Sequence, residues 1–337
     1  VYKRQATCGG ISVALILGGC GAIGNPVPAG STPASTSSNI TALNHIIFLA
    51  QENRSFDHYF GALRGYWAKN GYPDQSLDGL PQFDPSSGTP PLAGPAPSLP
   101  GCNPDSPFPT GDCVADPSNP VTSYHLQTEC VENPSPSWDE AHVDWDYNDP
   151  EGLSPALLNG FVYTAAHDAR TIQPPYHDVN GIRAMGYYDE TDLNYYYFMA
   201  SNFATSDRWF NPGMSRTPPN RQYLIAGTSQ GYAYPPGTDA NDHALLTAPT
   251  IFQELQAAGI TWKIYVNPQS SSCTQPYTPQ CLLTLSSLQD FQWGQTTLTS
   301  PPYAQNLVPM TQYFTDIQAG TLPQVAFIEP ASAAGYD

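Results

Sequence analysis

The chain has 337 residues, 40% of them hydrophobic, and sets 29 acidic against 11 basic side chains for a formal net charge of −18. That length supports one large α/β domain or two smaller ones. Beyond the leader only seven arginines and two lysines remain, so the surface repels nucleic acid and no nucleic-acid partner is expected.

The first residue is valine, and Val1 to Gln5 are set aside from fold reasoning. Ile11 to Leu17 is a short apolar run that ends in Leu17-Gly18-Gly19-Cys20, too short to span a bilayer. Residues 1–20 resemble a lipoprotein-type signal in which Cys20 is the lipidated first residue of the mature chain; the alternative is an ordinary secretory signal. Either form predicts export to the cell envelope or outside it. A Ser/Thr/Pro-rich linker covers 21–43, and the catalytic domain is expected from 44 to 337.

His45 to Ala50 is a continuous apolar run and predicts a buried strand covered on both faces. Ser55 is placed to cap a short helix from Phe56, with Phe56, Tyr59 and Phe60 on its inner side. Residues 72–122 are dominated by Pro, Gly, Ser and Asp, so a long ordered insertion or a floppy lid without regular structure, running to about 135, is expected there. From Thr191 the text LNYYYFMASNFA reads as a helix with an aromatic face, and IFQELQAAG as another stopped by Gly259. ITWKIYV and LPQVAFIEP are strand candidates. The alternation predicts a doubly wound, mostly parallel α/β sheet, with its site beyond the carboxyl ends of the strands.

Five cysteines lie beyond the leader, none at metal-binding spacing, and in an exported chain close pairs read as disulfides. Cys273 with Cys281 is the best pair. Cys102 with Cys113 is the next, although Cys130 competes for either partner, and an odd count leaves one cysteine over.

Three constellations carry chemistry. Glu52 and Asn53 offer hard oxygen ligands at the end of the first strand, suited to a divalent cation; the alternative has Glu52 pairing with Arg54 or Arg221 and Asn53 capping a turn. Asp57 and His58 read as local structural residues. Gly227-Thr228-Ser229-Gln230-Gly231 fits the nucleophile-elbow pattern, but no helix can begin in Tyr232 to Gly237 and no histidine follows His243. Upstream, Pro212 to Arg221 is a hydroxyl-rich turn leading into a helix from Pro218. There a hydroxyl beside a cation can attack phosphorus, with a helix N-terminus and an arginine to hold phosphate oxygens; the bland reading is a capping threonine before proline.

His45 to Leu49 with Glu52-Asn53-Arg54-Ser55-Phe56-Asp57-His58-Tyr59-Phe60-Gly61, together with Thr217-x-Pro219-Asn220-Arg221-x-Tyr223, resembles the bacterial phosphoesterase family of phosphatidylcholine-hydrolysing phospholipase C and acid phosphatase A. Ser137-Trp138 to His142, Trp145, Asn159-Gly160-Phe161 and Met185-Gly186-Tyr187-Tyr188 extend the likeness over about 44 to 337. The resemblance implies an alkaline phosphatase-like fold and a divalent metal of open identity on Glu52 and Asn53. It makes Thr217 the nucleophile of a covalent phosphoryl intermediate, puts His142 near substrate and makes Arg221 a phosphate or structural contact. The implied partner is a phospholipid or small phosphate ester, with the membrane reached through a lipid anchor at Cys20. Phospholipase C, acid phosphatase and a ligand-binding lipoprotein without turnover stay open. Two departures stand out. Pro136 occupies the place of a family histidine, and the chain stops at Asp337 where the family continues with Asp-Glu-His-Pro. An incomplete domain with weak metal binding, an open sheet edge and little activity is therefore expected of it.

Overall fold

In the computed structural model the described residues are 43–51, 54–105, 112–152, 155–172, 176–233, 244–268 and 273–330. Cys20, most of the linker, Glu52, Asn53 and residues 331–337 lie outside them. From His45 onward the chain forms one unit.

Its strands are β1 (Ile46–Leu49), β2 (Ser98–Cys102), β3 (Ala115–Thr122), β4 (Tyr124–His125), β5 (Gly186–Tyr187), β6 (Trp262–Val266), β7 (Leu307–Pro309) and β8 (Val325–Glu329). Its helices are α1 (Phe56–Phe60), α2 (Leu63–Asn70), α3 (Trp138–Trp145), α4 (Phe161–His167), α5 (Asn194–Asn202), α6 (Thr217–Ala226), α7 (Ile251–Ala257), α8 (Pro279–Leu283) and α9 (Met310–Ala319). The central sheet has the order β1-β8-β6-β7, and every pair in it is parallel. Parallel neighbours require crossover connections, and the helices between the strands supply them. The fold is the expected α/β class with a mostly parallel sheet, in keeping with an alkaline phosphatase-like arrangement.

The core collects on β6 and β8, whose Trp262, Ile264, Val266 and Phe327 are buried with Phe252 of α7. Phe48 of β1 stacks on Phe327 at 5.3 Å between ring centroids, and Phe252 meets Phe327 edge-on at 5.5 Å. Here β1 departs from the expectation of burial on both faces: Ile46, Ile47 and Leu49 are about half exposed, at 50, 49 and 49%. Position explains it, because among the described residues β1 is an edge strand with β8 as its one partner in the sheet. An apolar run alone does not distinguish an edge from a centre.

Residues 72–122 also differ from expectation. They contain the antiparallel β2–β3 hairpin, bridged at its loop end by a Cys102–Cys113 disulfide with Cα atoms 5.2 Å apart. The preceding loop is organised by buried Arg64 of α2. Its guanidinium forks onto Asp74 at 3.0 Å, reaches Asp84 at 3.1 Å, and donates to the carbonyls of Thr89 and Pro91. A bidentate, fully used guanidinium is a strong organiser, and it replaces the secondary structure that proline and glycine deny. A second disulfide joins Cys273 to Cys281 across 5.5 Å between Cα atoms. Cys130 is disulfide-bonded too, so none of the five cysteines beyond the leader is left over, contrary to what their odd count suggested.

Ser55 caps α1 by accepting from the His58 amide, and α7 has a capping box between Thr250 and Gln253. Gly259, at φ 70°, stops α7 as its sequence predicts. At Gly160, between α3 and α4, a Cβ would sit 2.0 Å from the Val143 carbonyl oxygen. The two helices can cross there because that position has no side chain.

Candidate active site

A cavity of about 650 Å³ opens beyond the carboxyl ends of β1 and β8, with Gln51 and Pro330 in its lining. Crevices at this end are where open parallel sheets bind ligands. Its walls are aromatic: Tyr59 meets Tyr188 and Tyr196 edge-on at 6.0 and 5.3 Å between centroids, and Trp209 stands at the rim. Arg54 and Glu129 are the charged residues of the lining. Tyr196 reaches the end of β1 directly, its hydroxyl donating to Gln51 Oε1 at 3.0 Å. Behind the wall, His58 stacks on Tyr188 at 5.0 Å. Burial, and then the charge of Arg54, lower its pKa to about 4, so its ring is neutral near pH 7.

Thr217 is the first residue of α6, after Arg216 in extended conformation at the N-cap. It is therefore not the capping residue. The first turn continues through Pro218 and Pro219, which carry no N–H. The helix end consequently offers fewer backbone donors to an anion than a helix N-terminus ordinarily does. What shapes this end is Asn220. Its Nδ2 donates to the carbonyls of Gly213, Ser215 and Arg216, at 3.1, 2.9 and 3.1 Å, and its Oδ1 accepts from the Gly213 amide at 3.1 Å. The turn that leads into Thr217 is folded back on α6 by this one amide.

One turn further along α6, Arg221 is buried, donates to the Ala50 carbonyl at 2.7 Å and lies 3.5 Å from Glu329. Both contacts are structural, joining α6 to the ends of β1 and β8. Residues four apart share a helix face, so Thr217 lies on the face of α6 that meets the end of β1. Glu52 and Asn53 follow two and three positions after Ala50, outside the described residues. The helix that carries the nucleophile candidate is thus fastened at Ala50, at the end of β1.

His142 lies elsewhere, on α3, with its Nδ1 2.7 Å from the Trp138 carbonyl and its ring tilted 32° against that of Trp138, 3.7 Å between centroids. As Nδ1–H donates to that carbonyl, Nε2 is the nitrogen left with a lone pair in the neutral ring. Buried Asp168 links this region to the start of α6. Burial raises its pKa against the opposing charge of Arg183, and it feels both Glu140 of α3 and Arg216. The nucleophile-elbow match fails in space as well, because Ser229 is buried after the C-terminus of α6 and no strand precedes it.

Sequence reading missed one group. His125 Nε2 is 2.7 Å from Asp192 Oδ2 and 3.7 Å from Asp189 Oδ1, with all three ligating atoms within 4.8 Å of one another. Among the described residues this His/Asp/Asp set could hold a divalent ion, and its nitrogen and oxygen donors suit zinc or manganese. Its carboxylates are already oriented, Asp189 by the amide and hydroxyl of Thr191 and Asp192 by the Asp189 amide. The acidic run Tyr188 to Asp192 was visible in the sequence, but nothing local pointed to His125 as its partner.

The family model described as Phosphoesterase family matches residues 43–335. The chain belongs to the phosphoesterase family. Among relatives, Phospholipase C B of Mycobacterium tuberculosis is 28% identical over 250 residues, covering 68% of this chain and 39% of the relative. Non-hemolytic phospholipase C of Pseudomonas aeruginosa is 26% identical over 243 residues, 67% of the chain and 27% of the relative. Non-specific phospholipase C4 of Arabidopsis thaliana is 27% identical over 224 residues, 65% of the chain and 35% of the relative. This phosphoesterase chain thus spans about two fifths or less of the length of each of these relatives. Among its described residues no helix is long and apolar enough to cross a membrane.

Proposed function

We propose that the protein hydrolyses phosphate esters, cleaving a phospholipid head group in the manner of a phospholipase C, with Thr217 as the nucleophile. The observation that carries this reading is the tie between Arg221 and the Ala50 carbonyl. It ties α6, whose first residue is Thr217, to the end of β1, next to Gln51 in the lining of the aromatic cavity. The names of the relatives supply the reaction class.

Thr217 Oγ1 attacks phosphorus in line with the leaving oxygen, its proton passing to a base, and the phosphothreonine ester is then hydrolysed by water. A divalent ion held by Glu52 and Asn53, when bound, supplies Lewis acidity that eases loss of the hydroxyl proton and offsets charge on the phosphoryl oxygens. The Asn220 clamp holds the Thr217 turn in place, and the substrate-side role of His142 rests on the family resemblance alone. The leader pattern ending at Cys20 supports export and a lipid anchor, and the domain is taken to run from 44 to 337 with its insertion at about 72–135.

The test is to incubate the chain with a divalent metal and either phosphatidylcholine or a simple phosphomonoester, quench in acid, and map phosphorylated peptides by mass spectrometry. Phosphate on Thr217, lost in Thr217→Ala together with turnover, is the expected result. Turnover of the monoester alone assigns an acid phosphatase. Retention of lipid without turnover or phosphorylation makes the protein a ligand binder and overturns the proposal.

A further inference from the structure

Between residues 195 and 214 the chain exposes an unusual density of large apolar side chains. Tyr195 and Phe198 project from α5, and Phe203, Trp209 and Phe210 follow in the loop before α6, with Trp209 75% and Phe210 76% exposed. Monomeric proteins seldom leave contiguous apolar surface of this kind uncovered without a binding role. The two charged residues in this stretch, Asp207 and Arg208, are turned back onto the body of the protein. Arg208 pairs with the Asp78 carboxylate, and the Asp78 amide donates to Asp207 at 2.7 Å. With its charges engaged at Asp78, the loop presents rings. Trp209 belongs to both surfaces, lining the cavity while standing at its exposed rim.

Charge narrows what can cover this face. Two copies at −18 each repel one another, and an anionic bilayer repels the chain in the same way. A neutral, amphipathic surface carries no such penalty. Aromatic side chains, apolar in body and polar at one edge, favour the boundary between head groups and acyl chains. We propose that the face formed by Tyr195, Phe198, Phe203, Trp209 and Phe210 is an interfacial docking surface for a zwitterionic lipid layer, seated around the mouth of the cavity. This rests on the phospholipid reading above: a head group enters the cavity while the acyl chains stay in the layer against which the aromatic rim lies.

The test measures flotation of the chain with vesicles of pure phosphatidylcholine and with vesicles rich in phosphatidylglycerol, at low and high salt. Binding to the neutral vesicles is expected, insensitive to salt because it does not depend on charge. The double variant Phe203→Ser/Phe210→Ser should weaken that binding by about tenfold or more, with an unchanged thermal midpoint showing that it folds. Thr217→Ala should bind vesicles like the parent, so loss of catalysis and loss of docking are read separately. Failure to float with neutral vesicles overturns the proposal, as does binding confined to anionic vesicles. A lipid-free dimer that the double variant converts to monomer also overturns it, because the face would then belong to a second copy.

Discussion

The guanidinium of Arg221 lies 3.5 Å from the carboxylate of Glu329 and donates to the carbonyl of Ala50, so one buried side chain fastens α6 to the ends of two adjacent strands. Glu329 is also held by the Ser287 amide at 2.9 Å. Arg221→Met strands that carboxylate in the core, and breaking one side of such a buried pair costs about 3–5 kcal/mol. Urea unfolding of the variant should show a loss of that order. A loss below about 1 kcal/mol would mean that Glu329 is satisfied without Arg221.

Asn220 makes four hydrogen bonds to the turn before Thr217. Asn220→Ala removes them all without touching the hydroxyl. The expected outcome is a fall in kcat of about tenfold to a hundredfold with KM little changed, since a small misplacement of a nucleophile is enough for that. Asn220→Asp keeps the acceptor but loses the three donor contacts, and should behave like the alanine variant.

Metal binding separates two locations. If the ion belongs to Glu52 and Asn53, Glu52→Gln weakens the affinity read by calorimetry while Asp192→Asn leaves it intact. The reverse pattern transfers the ion to the His125, Asp189 and Asp192 group.

Gly160→Ala forces a methyl into the 2.0 Å approach to the Val143 carbonyl. Overpacking of this kind typically costs about 1–3 kcal/mol. The cost should appear in the thermal midpoint and in faster hydrogen exchange at α3 and α4.

Two groups set opposing pH slopes on stability. Burial raises the Asp144 carboxyl to about 7, against the hydrogen bond from Thr164. Its contribution is full below its unfolded value near 3.8 and is lost as pH rises toward 7. His58, lowered from 6.5 to about 4, contributes fully above 6.5 and loses that stability as pH falls toward 4. Asp144→Asn should therefore flatten the decline on the alkaline side of this window, and His58→Phe the decline on its acid side. Unfolding free energies measured from pH 4 to 7 check both.

The strands β6 and β8 and the stop of α7 at Gly259 were legible because each depends on a local pattern of apolar residues or on one glycine. The exposure of Ile46, Ile47 and Leu49 was not, since it follows from strand order, a property of the whole sheet. The organised loop around Arg64 escaped for a similar reason: its partners Asp74, Asp84, Thr89 and Pro91 are scattered through a stretch whose composition reads as irregular. In the site, the Thr217 to Tyr223 text announced a nucleophile turn, but only geometry shows that Pro218 and Pro219 deplete its amide donors and that Asn220 shapes it. His125 is separated from Asp192 by 67 positions, and no periodicity joins them.

The strand between β1 and β6 follows both of them in the chain. His45 and Pro323, in contact beside that seam, are separated by 278 positions. As the polypeptide emerges from the ribosome, Phe48 and then the apolar side chains of β6 wait without the strand that lies between them until translation has passed Glu329. The sheet cannot grow outward from its N-terminal end; it closes in one late event when Val325 to Glu329 slot in. Such long-range pairing is slow and exposes sticky intermediates. Nascent chains arrested before Val325 should therefore lack protease-resistant sheet structure and engage chaperones, and those arrested after β8 has cleared the exit tunnel should not.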